Sequence, residues 1–279
     1  MNFPKVINYH AILSPRKGPS WKYDSIYVTS LSRQLKLLSR YYNILHPKEV
    51  LFRIKEGQEF GRRDILLTFD DGYQNNLDLA APILRSLGIT ALIFLNTKNL
   101  NGEDLLWFNW LKLFKQRNII SQNPIGIEGM SYSEISKQID LYKMDISKLS
   151  EQEVEQFIGA KEQDLVKIVR EGIFVPGGHT TDHPKLTAES KKAVVDQIKE
   201  NRTYLKRLFN REIDFFAYPQ GLLNEEVIQV VKECGYKAAF VVSKYNNNQG
   251  VNHYTIPRIG IYRGGVGYLL VKLLFNVNR

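Results

Sequence analysis

Along most of the chain, short apolar runs of strand length alternate with stretches whose apolar residues recur at helical spacing. Lys5–Tyr9 reads as a first strand, and residues 30–41 as a helix with Leu31, Leu35 and Leu38 on one face. Asp64–Phe69 (DILLTF) is a buried-looking strand, followed by a helical stretch over 75–87 that Gly88 closes. Residues 90–95 form another strand. Later the alternation resumes with a short strand at 173–175 and a long helix at 187–209, with Thr187 as its cap. A strand at 214–217, an Asn-capped helix at 224–234 and strands at 237–242 and 255–259 complete it. Strands that alternate with helices form parallel sheets, and about seven strands predict an α/β barrel or a wound sheet.

Between about 100 and 170 the pattern breaks into helical stretches such as 107–115 and 151–170, with no strand. This predicts a helical insertion within one domain spanning 1–279. A chain of 279 residues, 43% of them apolar, can bury a core without disulfides or a structural metal. A metal here would therefore serve chemistry. The lone cysteine, Cys234, sits in an apolar helical run and reads as packing. The net charge of +9 is dispersed among acidic residues and carries no nucleic-acid signature. It suits anionic glycans, sugar nucleotides or lipid headgroups alike. There is no leader-like N-terminus and no apolar run of about 18 residues. The expected location is the cytoplasm or the inner membrane face. The stretch Val266–Phe275 reads either as a helix docked on the barrel or as a peripheral membrane contact.

In parallel α/β folds, catalytic groups gather just after the strands. Four elements meet that rule. Asp70 and Asp71 end the strand at 64–69, where burial is costly without partners, and Gly72 permits a turn. One carboxylate could bind a metal while its neighbour acts as a base. His179 and His183, four apart, would share one face of a helical turn and chelate a single ion. With one Asp they make a set suited to Zn²⁺, and also to Co²⁺, Ni²⁺ or Fe²⁺. His10, directly after the first strand, is a candidate general acid. In Phe215-Phe216-Ala217-Tyr218-Pro219-Gln220-Gly221, the turn could aim backbone N–H groups at an oxyanion.

Taken in order, Thr68-Phe69-Asp70-Asp71-Gly72 and His179-Thr180-Thr181-Asp182-His183 resemble the first two motifs of the polysaccharide deacetylases of the NodB-homology family. The resemblance implies an irregular (β/α) barrel of about seven parallel strands. It implies hydrolysis of N-acetyl, or O-acetyl, groups on a glycan. It makes Asp70 the general base, and Asp71, His179 and His183 the metal ligands. The family's third motif, R-x-P-[FY], is altered to Ala217-Tyr218-Pro219-Gln220, and its late Leu-x-His is missing, since His253 stands in another context. Tyr9-His10 resembles the acid-bearing segment of the poly-N-acetylglucosamine deacetylases of biofilm systems. On that reading His10 is the acid, Arg258 replaces the missing arginine beside Asp70, and Gln220 is the main-chain oxyanion donor. Tyr73, Tyr218 and Pro219 are expected to contact an acetylated glycan or amino-sugar substrate. Two alternatives stay open: a deacetylase of lipid- or nucleotide-linked sugars, favoured by the N-terminal reading and the 266–275 stretch, and a non-catalytic glycan-binding protein on the same scaffold, motivated by the altered motifs.

Overall fold

The computed structural model describes residues 2–15, 25–120, 127, 129–242, 252–262 and 264–275. The chain opens with β1 (Lys5–Tyr9), then β2 (Ala11–Leu13) and β3 (Ser25–Tyr27), which pair with each other outside the main sheet. Helix α1 (Val28–Tyr41) buries Leu31, Leu35 and Leu38, and leads through β4 (Asn43–Ile44) to α2 (Pro47–Lys55). The alternating layer continues as β5 (Asp64–Phe69), α3 (Ala81–Ser86) and β6 (Ala91–Leu95). Helices α4 (Trp107–Gln116), α5 (Tyr132–Asp140), α6 (Glu151–Phe157) and α7 (Glu162–Arg170) follow. Then come β7 (Phe174–Gly178), α8 (Lys191–Phe209), β8 (Phe215–Ala217), α9 (Glu225–Glu233), β9 (Ala238–Val241), β10 (Ile256–Gly260) and α10 (Val266–Phe275).

Strand β1 pairs in parallel with both β10 and β5, which closes the sheet. Seven parallel strands form the ring, and β4 lies outside it on β5. Side-chain alternation sorts the residues. Ile7, Tyr9, Ile65, Leu67, Phe69, Ile93 and Leu95 face the helices in the larger core. Val6, Leu66, Leu92, Phe94, Phe215, Phe240 and Ile256 fill the barrel, with Leu45, Val50 and Phe60 in the same cluster. The same alternation turns Asn8, Thr68, Asp70 and Arg258 inward, near the ends of their strands.

Several local expectations need correction. The stretch 75–87 is helical as expected but not regular: it widens into a π-type turn (Asn76–Ala80) before α3, where Pro82 lacks the N–H that a regular turn would use. Thr187 is not a cap: a tight turn (Leu186–Ala188) buries Leu186, and Ser190 caps α8 by accepting from the Ala193 N–H. The expected helix over 151–170 splits into α6 and α7. An antiparallel bridge between Tyr73 and Gly159 interrupts it, and a side chain at Gly159 would put its Cβ 1.8 Å from the Asn99 carbonyl oxygen, so only glycine fits there. Ala160 N–H then donates to the Gly72 carbonyl at 2.9 Å.

That break also divides the packing. Trp107, Trp110, Leu113, Phe114, Ile135, Ile139 and Phe157 form a core of their own among α4, α5 and α6. Leu165, Ile168 and Val169 of α7 belong instead to the core shared with the barrel. Helix α10 docks through Leu269 and Leu273 and exposes Val271 and Leu274. No helix among the described residues is long and apolar enough to cross a membrane.

Candidate active site and metal centre

The two adjacent carboxylates reach different networks because the backbone turns left-handed between them, with φ +70° at Asp71 and +64° at Gly72. Asp70, the last inward position of its strand, is 2% exposed. Arg258 on β10 grips it with both guanidinium nitrogens, at 2.7 and 2.8 Å. Asn8 on β1 donates a third bond at 2.9 Å. The Asn8 side-chain oxygen in turn accepts from Thr68 at 2.8 Å and from Arg258 at 3.1 Å. His10 Nε2 lies 3.8 Å from Asp70 Oδ2. Burial alone would raise the Asp70 pKa. The charges of Arg258, His179 and His10 and the Arg258 hydrogen bond outweigh it and hold the carboxyl far below its ordinary range.

Asp71 turns toward the two histidines. One ligand atom from each of Asp71, His179 and His183 lies within 4.8 Å of the others. Asp71 Oδ1 is 3.6 Å from His179 Nε2 and 3.7 Å from His183 Nε2. The loop is not the expected helical turn. Thr180 and His183 both have left-handed backbones, with φ +68° and +59°. His179 Nδ1 sits 2.7 Å from the Ala217 carbonyl, so that nitrogen donates and the Nε2 lone pair faces the cluster. Burial lowers the pKa of both histidines, which favours the neutral, ligating form. It raises that of Asp71, as does the charge of Asp70. Asp71 Oδ1 is buried and has no hydrogen-bond partner among the described residues. An orphaned acceptor of this kind is costly, and a cation would satisfy it. Two imidazole nitrogens and one carboxylate oxygen fit a divalent ion with coordination positions left open.

Both networks open into one cavity of about 420 Å³, lined also by Tyr218, Gln220 and Tyr262. Its outer wall comes from the insertion, through Trp107, Phe108, Leu111 and Lys112. His10, Asp70, Asp71, His179, His183, Tyr218 and Gln220, all just after strands, line the same cavity as Arg258, which reaches in from within β10. Two expected substrate contacts do not. Tyr73 is buried beneath the insertion, where its hydroxyl bonds with Asn109, because the turn at Gly72 carries it away from the cavity. Pro219 is buried and starts the tight turn Pro219–Gly221. His253 is exposed, away from the cavity lining. Asn8, Thr68, Trp107, Phe108 and Tyr262 were missed. For Asn8 and Thr68 a signal existed: each is a polar residue two positions before His10 or Asp70, hence on the same strand face.

A closed parallel barrel with a polar, metal-competent cluster at its strand ends is an enzyme scaffold that serves many chemistries, and the comparisons say which. The chain matches the polysaccharide deacetylase family over residues 57–239, well over half its length, and belongs to that family. It is an enzyme, a polysaccharide deacetylase. A poly-β-1,6-N-acetyl-D-glucosamine N-deacetylase of Staphylococcus aureus is 23% identical over 286 aligned residues, covering 97% of this chain and 83% of the relative. The fold is shared with the Streptococcus pyogenes deacetylase PplD in complex with acetate (TM-score 0.64, 18% identity, 98% of each chain). It is shared also with IcaB from Ammonifex degensii (TM-score 0.63, 16% identity, 94% of this chain and 92% of that one).

Proposed function

We propose that the protein removes N-acetyl groups from a β-1,6-linked poly-N-acetylglucosamine or a closely related glycan. The carrying observation is the buried Asp70, gripped by Arg258 and facing His10, directly beside the Asp71–His179–His183 cluster. The near full-length similarity to the staphylococcal N-deacetylase supports the substrate class.

Asp71, His179 and His183 would hold the ion, for which Zn²⁺ is the leading candidate and Co²⁺, Ni²⁺ or Fe²⁺ are alternatives. Bound there, a divalent ion lowers the pKa of water to about 7 and polarises a carbonyl. Asp70, ionised at any working pH, receives the proton of the attacking water. Arg258 and Asn8 fix both carboxylate oxygens, so that Asp70 is positioned before the reaction begins. Gln220 lines the cavity, and its backbone N–H would donate to the developing oxyanion. His10, 3.8 Å from Asp70 on the same cavity, donates a proton to the departing amine. Acetate and a free amino sugar result. Tyr262 offers ring surface to the saccharide, whereas Tyr218 is fully buried with its hydroxyl donating to the Tyr254 carbonyl, and supports the wall from behind.

The test is acetate release from N-acetylglucosamine oligomers with Zn²⁺, Co²⁺ or a chelator. Release should need the ion and disappear in His179→Ala; release that survives both would overturn the assignment. The exposed Val271 and Leu274 of α10 support a peripheral membrane contact, for which liposome flotation is the measurement.

A further inference from the structure

The two histidines of the cluster are held in different ways. His179 has its ring set by a hydrogen bond from its own Nδ1 to the Ala217 carbonyl, the usual device for orienting a ligating imidazole. His183 has no such bond to another residue: its Nδ1 is buried and meets no neighbouring side chain or carbonyl among the described residues. Its aim must come from its backbone and from the surfaces packed on its ring.

That backbone is unusual. A φ of +59° at a non-glycine residue is unfavourable and persists only where the surroundings enforce it. Most of the loop is enforced from the barrel side. Asn96 donates to the His179 carbonyl, Asn201 to that of Thr180 at 2.7 Å, and the Lys98 N–H to that of Thr181 at 3.0 Å. The His183 carbonyl is held from the other side, by the indole N–H of Trp107 at 2.8 Å, in a buried contact. Trp107 opens α4, and the next residue, Phe108, lays its ring 4.7 Å from the His183 imidazole.

We propose that Trp107 is a positioning residue for the ion-binding cluster: its indole N–H holds the left-handed turn that aims His183 at Asp71. The insertion thus completes the centre without supplying a ligand. This inference rests on the ion-binding reading of Asp71, His179 and His183.

The experiment measures Co²⁺ affinity by chelator competition on the full chain, for the wild type, Trp107→Phe and His179→Ala. Phe keeps an aromatic ring and removes the donor. Affinity should fall roughly ten- to hundred-fold in Trp107→Phe, the usual cost of losing an outer partner of a metal ligand. The visible spectrum of bound Co²⁺ should shift as well. Wild-type affinity in Trp107→Phe, with His179→Ala unable to bind, overturns the role of Trp107 and leaves the ion site standing. Equal binding by wild type and His179→Ala overturns the ion site itself. If Trp107→Phe lowers the melting temperature of the ion-free protein, a benzothienylalanine at 107 decides. It matches the shape of Trp without the N–H, so weakened binding supports the proposal and wild-type binding overturns it.

Discussion

Inside the barrel, Asn8, Thr68, Asp70 and Arg258 are all at most 2% exposed and hydrogen-bonded to one another. The core of the insertion, by contrast, is apolar, built on Trp110, Leu113, Phe114, Ile135 and Ile139. Its charges are met in isolated pairs at its margin, Arg117 with the buried Glu153 and Lys143 with Asp104. A buried polar network stands or falls as a unit, because each group left unpaired keeps its full desolvation cost. An apolar core loses stability in proportion to the volume removed. The catalytic half of the molecule is thus the less forgiving one, and the insertion is the half that can vary.

The sharpest test of this contrast is Asp70→Asn, which should lower acetate release about 10²- to 10⁴-fold, the range expected for a general base. Ion binding measured by chelator competition should survive it. Arg258→Met comes next. It leaves the Asp70 charge buried without its main partner, and should cost about 3–5 kcal/mol in a thermal or denaturant melt. A cost under 1 kcal/mol would show that the network is not a unit. Ile139→Ala, deep in the insertion, should cost about 2–5 kcal/mol locally. Hydrogen exchange should then speed up in α5 and stay slow in β5 and β6; loss of protection in both would merge the two regions.

The smallest effect concerns Glu153, whose pKa is lowered from 4.5 to about 2. The Arg117 hydrogen bond is the main cause, burial opposes it, and bonds from Ser150 add to it. Because the folded value lies below the unfolded one, its stabilisation is complete above 4.5 and fades as the pH falls toward 2. After allowance for screening, Glu153→Gln should cost about 1 kcal/mol at neutral pH. The difference between variant and wild type in urea melts should vanish in acid.

The strands β5 and β6 and the helix α9 were legible almost to the residue, since apolar runs and an Asn cap are local signals. The extent of β7 was not. Gly177 and Gly178 belong to it because they pair with Phe94 and Leu95, a long-range fact that overrides glycine's weak strand preference. A Cβ at Gly177 would lie 2.6 Å from the Phe94 ring, so the glycine is a demand of the barrel interior. The candidate residues after strands were legible by position. Trp107 and Phe108 were not, because nothing local to an amphipathic helix says that one flank packs on its own core and the other on a histidine far along the chain.

The split at Gly159 has a consequence for how this chain could be remodelled. The insertion leaves the barrel at Asn99 and returns at Gly159, and these two residues touch; Asn101 N–H donates to the Ala160 carbonyl at 3.0 Å. Entry and exit therefore share one doorway, so residues 102–158 form a cassette that a short turn could replace without rerouting a strand. A trimmed barrel of this kind would keep Asp70, Asp71 and both histidines. It would lose the outer wall of the cleft together with the Trp107 N–H that holds the His183 carbonyl, so a replacement turn that exchanges one saccharide preference for another must restore that bond.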